Sequence, residues 1–440
     1  MSMRLVFRTW WPLALSWMLM ALELPVIGAA IARLPDPQIN LAAWGGIVYP
    51  LALIVEAPII MLLSASTALS KDWDSYLRIR KYMLWMAGGL TLLHVLVAFT
   101  PLYDLVVVRW IDAPAEIVEP ARLGLRLLLP WTGAIAYRRF QQGVLIRCGH
   151  SGAVGTGTIV RLAADVSVIA LGLITKRVSG IALAGLAMSS GVMSEALFNG
   201  LRVRPVLRDQ LRHAPPAAEA LSLRSFLSFY VPLAMTSLLF LLIQPLGSAA
   251  LSRMPQALES LAAWPVVSGL VFLLRSPGVA FNEVAVALLD EPDSGPYLVR
   301  FALRLMGVMS VLLLLIVLTP ISMFWFEKLT SLDADLARMA ANALWFTLPL
   351  PAISVLVSWF QGVLLNARRT HAVTESVIFG LIVISSVLVS GVVWGQAVGL
   401  YVGWLAFSLG MTAQVTWLWW RSRRSLSVLM HFNLQTEQDC

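Results

Sequence analysis

Pro12-Leu13-Ala14-Leu15, near the start of the chain, returns as Pro232-Leu233-Ala234-Met235, and Leu41-Ala42-Ala43-Trp44 returns as Leu261-Ala262-Ala263-Trp264. Around them Pro25 recurs as Pro245, Ala29-Ala30 as Ala249-Ala250, Arg33 as Arg253 and Pro35 as Pro255. One residue then drops out of the second copy. With that shortened spacing Pro58 meets Pro277, Ala68-Leu69 meets Ala287-Leu288, and Gln142-Gly143-Val144-Leu145 meets Gln361-Gly362-Val363-Leu364. Matches kept in order at an interval of about 220 residues mark an internal duplication rather than shared composition.

The duplicated unit is apolar. The 440-residue chain is 59% hydrophobic and only 13% charged, with a mean hydropathy of +0.80, which a soluble core cannot use. Runs of about 20 residues, enough to cross a bilayer, lie near 9–31, 41–69, 82–108, 124–147, 153–175 and 180–201. The second copy places its runs near 226–251, 261–289, 300–325, 337–365, 372–395 and 398–420. The reading is an all-α polytopic membrane protein of twelve helices, two six-helix bundles in parallel pseudo-twofold repeat. Residues 1–203 form the first bundle, 204–224 a cytoplasmic linker, 225–421 the second bundle and 422–440 a cytoplasmic tail. In such folds the seam between repeats is where a solute can be held and passed across.

Basic residues set the orientation, since cytoplasmic loops carry the excess of Lys and Arg. Arg4 and Arg8; Lys71, Arg78, Arg80 and Lys81; Arg147; Arg202, Arg204, Arg208 and Arg212; Arg368 and Arg369; and Arg421, Arg423 and Arg424 all fall on one side. Asp112, Glu116 and Glu119, then Glu327, Asp333 and Asp335, fall on the other. Both termini are therefore expected in the cytoplasm. Gly28-Ala29-Ala30-Ile31-Ala32 has the look of a signal cleavage site, but the counterpart of the first run sits mid-chain, so the first run reads as a retained helix. The formal charge of +8 belongs to these loops and does not point to nucleic acid. Cys148 and Cys440 read as free thiols, and no Cys/His cluster has zinc-ligand spacing. The absence of any Asn-x-Ser/Thr site favours a bacterial inner membrane. Enzyme signatures are absent apart from Asp333-Ala334-Asp335, a short acidic pair of the kind that faces water, and no cofactor is expected.

Charges inside the spans carry the functional information, because each is expensive in hydrocarbon and turns toward a partner or a watery cavity. Glu56 and Arg275 occupy equivalent positions in the two copies, each near the middle of the second span of its half. Two readings stand: a substrate or coupling-ion site on Arg275 with Glu56 as proton-sensitive partner, or a permanent ion pair that locks the halves. Arg138 and Arg139, inside the fourth span, face the uncharged Val357 and Ser358 in the repeat. Adjacent helical residues point about 100° apart, so at most one of the two is expected to face the seam while the other snorkels toward the cytoplasmic face or pairs with a carboxylate. Guanidinium forks near a cavity suit carboxylate or phosphate. Arg161 and Asp165 stand four apart and share a face, which reads as an internal pair, with a role in coupling or gating as the alternative. Glu23, Glu195 and Glu283 sit singly; Glu23 and Glu283 are the better candidates for coupling, and His94 is either a core histidine or a relay. Pro25, Pro58, Pro245, Pro277, Pro349 and Pro351 mark candidate kinks.

Two six-helix halves with Gln-Gly-Val-Leu on the fourth and tenth spans resemble the multidrug, oligosaccharidyl-lipid and polysaccharide (MOP) flippase superfamily, whose members include the MATE-like fold. The loop Ser70-Lys71-Asp72-Trp73-Asp74 lacks the glycine, aspartate and basic cluster of the major facilitator family. Within the superfamily the chain is most similar to the progressive ankylosis (Ank) family. That similarity lies in Arg80 to Val107, with Ala87-Gly88, His94 and Tyr103; in Arg161 to Leu171; and in Leu348 to His371. It implies alternating-access export of a small polyanion such as citrate, pyrophosphate or a nucleotide by a monomer in the lipid bilayer, with a proton or sodium as possible coupling ion. A lipid-linked oligosaccharide flippase and a proton- or sodium-coupled multidrug exporter are the alternatives.

Overall fold

The computed structural model describes residues 2–216, 220–289, 291, 294–367 and 369–436. Arg368 and Cys440 lie outside them. Twelve principal helices follow in order: α1 (Met3–Ala21, continuing as Glu23–Ile31), α2 (Pro37–Leu69), α3 (Trp73–Phe99), α4 (Ala115–Leu127, then Leu129–Arg147), α5 (Gly152–Thr175) and α6 (Gly180–Asp209). The second set is α7 (Leu223–Leu241, then Ile243–Leu251), α8 (Ala257–Leu288), α9 (Ser294–Leu318), α10 (Ala334–Thr347, then Leu350–Asn366), α11 (Thr370–Trp394) and α12 (Gly399–Thr436). Among the described residues nine helices are long and apolar enough to cross a bilayer, and α10 is a tenth span bent by 42°.

Local chemistry sets the ends and the bends. α1 breaks at Leu22 and α7 at Leu242, each three residues before a proline (Pro25, Pro245) that withholds a backbone donor from that turn. The bend of α10 falls at Leu348-Pro349. α3 starts earlier than its apolar run, because Asp72 and Ser75 form a capping box ahead of the basic residues Arg78, Arg80 and Lys81. It also stops earlier. Pro101 holds Thr100 extended (φ −118°, ψ 170°), so 102–110 is a separate short helix with a π turn instead of a continuation to residue 108. The same break recurs at Thr319-Pro320, followed by a π turn over Phe324–Leu329.

The duplication is written into the backbone. Left-handed residues come in equivalent pairs: Asp36 and Gln256, Asp112 and Ser331, Lys176 and Gly395. Asn40 Oδ1 accepts from the Ile181 amide, as Ser260 Oγ accepts from the Leu400 amide at the equivalent place. Ser189 Oγ donates to the Leu127 carbonyl, and Ser408 Oγ to that of Phe346. The shared Gln-Gly-Val-Leu element has a packing cause: a Cβ on Gly143 would lie 2.5 Å from the Leu63 carbonyl oxygen of α2, and one on Gly362 would lie 2.6 Å from Ala285 of α8. Where lipid supplies no hydrophobic drive between helices, such close approach holds a bundle together.

By packing, the chain forms two compact units, Met1–Ala29 with Arg253–Cys440, and Ala30–Ser252. The first unit joins α1 to the second set of helices, with α1 against α8 and α8 against α10. Its centre is aromatic: Trp10, Phe301, Phe281 and Trp359 touch in sequence, and Trp10 Nε1 donates to the Pro277 carbonyl at 2.9 Å. The other unit packs α7 against α2, α2 against α4 and α5 against α6. There Tyr230, the repeat equivalent of Trp10, donates its hydroxyl to the carbonyl of Pro58, the equivalent of Pro277. The leading helix of each copy thus packs with the other copy's helices, and α6 stays helical to Asp209 before the chain reaches α7.

Candidate functional site

In the unit Ala30–Ser252 the mid-span charges of α4, α5 and α6 converge on Glu195. Arg138 Nη1 pairs with Glu195 Oε2, Gln142 Nε2 donates to Glu195 Oε1 at 2.9 Å, and Arg161 Nε stands 3.6 Å from Oε2. Glu195 is 1% exposed and Arg138 5%, so the carboxylate has exchanged water for two guanidinium groups and an amide. Asp165 joins from α5: a Cβ on Gly191 of α6 would sit 1.8 Å from its Oδ1, so the carboxylate fills the space a side chain there would take. Asn199, one turn after Glu195 and fully buried, has no partner for either amide atom, and Gln141 Oε1, Gln142 Oε1 and Arg138 Nε are also unpaired. Each such group costs about 1–3 kcal/mol unless water or a guest reaches it.

Glu56, on α2, falls within this same unit. With Glu195 it is one of the two carboxylates acting on Arg139, whose charge neighbours also include Arg138 and Arg161. Arg139 is half-buried, and its buried Nε has no hydrogen-bond partner. The two adjacent arginines therefore differ: Arg138 is tied to Glu195, while Arg139 feels the charges of both Glu56 and Glu195. His94, 1% exposed, bridges α3 and α4. Its Nε2 faces the Leu125 carbonyl at 2.9 Å and its Nδ1 faces Thr132 Oγ1 at 3.0 Å. A carbonyl only accepts, so Nε2 carries the proton and the threonine hydroxyl donates to Nδ1. Both ring nitrogens are occupied by structural bonds.

In the unit with Arg253–Cys440 the corresponding positions are uncharged. Val357 and Ser358 stand for Arg138 and Arg139, Gly380 for Arg161, Ile384 for Asp165, Gln414 for Glu195 and Leu418 for Asn199. Arg275 is the charge in mid-α8. Its Nε donates to Ser354 Oγ at 2.6 Å, Ser354 donates onward to the Leu350 carbonyl at 2.8 Å, and the guanidinium carbon lies 5.1 Å from the centre of the Phe407 ring. Among the described residues no carboxylate pairs with Arg275 and neither Nη has a protein acceptor. Glu283 is exposed and accepts from Trp17 Nε1 at 3.2 Å, tying α8 to α1. Glu23 stands in the first turn of the second segment of α1, directly after the break at Leu22.

The sequence favours Glu23 and Glu283 over Glu195, yet in the structure Glu195 is the hub of the charges of α4 and α5. Its partners come from α4 and α5, and spacing along α6 alone gives no sign of them. Asn199 was legible in principle, lying four residues after Glu195 and so on the same helical face. No sequence signal singles out Ser354 or Phe407.

No protein-family profile matches the chain, and none of the curated proteins matches it. Solved structures do. An inward-facing multidrug resistance MATE family transporter of the MOP superfamily superposes with a TM-score of 0.72 at 16% identity, covering 95% of this chain and 98% of that one. The outward-facing form of such a transporter gives 0.61 at 18% identity, covering 97% and 96%. A MOP superfamily transporter from Pyrococcus furiosus, described by the reverse polarity of its binding pocket as suggesting a different function, gives 0.60 at 18% identity over 97% and 96%. The fold is that of the MATE transporters.

Proposed function

We propose that this chain is an alternating-access transporter in a bacterial inner membrane, with both termini cytoplasmic, that exports a small organic or phosphate polyanion of citrate or pyrophosphate type. The observation that carries this reading is Arg275: a mid-span guanidinium held by Ser354 and Phe407 with both Nη groups open and no carboxylate beside it. A half-buried guanidinium in that state favours an oxyanion, because its planar fork matches carboxylate or phosphate with two charge-assisted hydrogen bonds. Arg139 is the second candidate contact, while Arg138, Arg161 and Asp165 serve the internal network around Glu195. Glu56 beside Arg139, Glu23 at the α1 break and Glu283 on α8 are the groups through which a proton or sodium would couple. Neighbours of this fold solved facing inward and outward support the alternating cycle, and one described by a reversed binding-pocket polarity that suggests a different function shows that the fold is not tied to a single function. The Ank-family resemblance read from the sequence alone would imply the same cargo.

The multidrug alternative rests on the neighbours' description as multidrug resistance transporters. Counterflow of labelled citrate and pyrophosphate into proteoliposomes separates the two. Uptake lost in Arg275→Ala and partly kept in Arg275→Lys is the expected result. A folded protein that moves neither anion but moves a labelled cationic drug overturns it.

A further inference from the structure

Arg275 does not stand among aliphatic side chains. Phe407, under its guanidinium, meets Trp404 edge to face, with centroids 5.9 Å apart and planes at 87°. Trp404 in turn stacks on Trp264 of α8 at 4.7 Å and 25°. Three aromatic rings from α8 and α12 therefore lead up to the guanidinium. Trp264 and Phe407 are half-buried and keep open ring surface, whereas Trp404 is 3% exposed.

The indole of Trp404 supplies an independent observation. Its Nε1 is buried and has no acceptor. Trp normally satisfies this donor when it is buried, as Trp10 does with the Pro277 carbonyl in the same unit. An orphan N–H one helical turn from Phe407 marks a place for an acceptor that the protein does not provide. The equivalent positions in the first copy are Gly185 and Met188, so neither the N–H nor the ring belongs to the shared scaffold.

We infer that the cargo of this site is an aromatic oxyanion: a carboxylate or phosphate on a flat body of one or two rings, with a second acceptor that takes the Trp404 N–H. The inference rests on the anion reading above and narrows it. The acidic group pairs with the open Nη edge of Arg275. The flat body lies against Phe407 and is excluded from water, and the second acceptor reaches Trp404. Ser354 matters indirectly: it holds the guanidinium over Phe407 by accepting from Nε, which leaves the Nη edge for the ligand.

The test compares two tricarboxylates of equal charge, benzene-1,3,5-tricarboxylate and propane-1,2,3-tricarboxylate, by equilibrium binding to the purified full-length protein. The aromatic acid should bind about tenfold tighter, the size expected of one desolvated ring contact with a cation beside it. Phe407→Leu should erase that preference, Phe407→Tyr should keep it, and Trp404→Phe, which retains the ring but not the N–H, should weaken the aromatic acid several-fold. Arg275→Ala should abolish both. Equal binding of the two acids to the unaltered protein, or a preference that survives Phe407→Leu, overturns the inference while leaving the anion reading standing. Failure of both acids to bind overturns both.

Discussion

Glu195→Gln offers a quantitative test of the charge network. The change keeps the shape of the side chain and gives the residue found at the equivalent position 414, but it removes the charge facing Arg138 and Arg161. Breaking one partner out of a buried pair costs about 3–5 kcal/mol, because the other charge is left without compensation. Spread over a cooperative unit the size of Ala30–Ser252, about 4 kcal/mol lowers Tm by roughly 8–16 °C. Arg138→Val, the residue at equivalent position 357, should cost less, since Glu195 keeps Gln142 and Arg161. The double variant should recover at least half of the Glu195→Gln loss, because the orphaned guanidinium is gone and the apolar replacement packs. Thermal unfolding in detergent, read by thiol-reactive dye or by size-exclusion melting, gives all three values. A Glu195→Gln shift below about 1 °C, or strict additivity in the double variant, would refute the reasoning.

Three further results are expected. Gly191→Ala should lower Tm by several degrees, since its Cβ would fall 1.8 Å from Asp165 Oδ1, whereas Gly88→Ala, which meets nothing within 4 Å, should leave Tm unchanged or raise it; equal effects would show that Asp165 is free to move. His94→Phe should lose about 2–4 kcal/mol by orphaning the Leu125 carbonyl and the Thr132 hydroxyl, yet leave the pH profile of transport in place in whatever protein survives purification; a flattened profile would make the histidine a relay. Burial pushes the Cys148 thiol up from its ordinary value against the opposing pull of Arg147, so at neutral pH little of it is thiolate. In a Cys440→Ser background, iodoacetamide labelling should be slow at pH 7 and still rising at pH 9, and a plateau by pH 8 would contradict this.

Most of the architecture was legible because bilayer thickness and the duplication over-determine it. The interval between Leu41-Ala42-Ala43-Trp44 and Leu261-Ala262-Ala263-Trp264 gave the copy number, and twenty-residue apolar runs gave the spans. Two things escaped. Thr100-Pro101 sits inside an apolar run, and hydropathy does not register a single dihedral forced extended by the next residue. Which helices pack together was also hidden, since the tie from Trp10 to Pro277 joins residues far apart in sequence and each belongs to an ordinary apolar stretch. At the site, the charges themselves were plain, but their pairing was not. Arg138 and Arg139 are indistinguishable by spacing, and only the position of α6 ties one of them to Glu195 and leaves the other without that bond.

The two copies act as internal controls for one another. Where they agree, the shared feature has a packing cause: Gly143 and Gly362 at a close helix approach, Asn40 and Ser260 bonding the first turns of α6 and α12, Trp10 and Tyr230 on equivalent proline carbonyls. Where they differ, the difference is chemical. The first copy holds Arg138, Arg161, Asp165 and Glu195 at places the second fills with Val357, Gly380, Ile384 and Gln414, so the fold does not need those charges to form. The second copy holds an unneutralised Arg275 where the first has Glu56. A scaffold that closes equally well with either set leaves the charges answerable to something other than packing. In the first copy they answer mostly to each other, through Glu195. In the second, Arg275 and the unpaired Trp404 N–H have no such internal answer, and that is the physical reason to seek the cargo there.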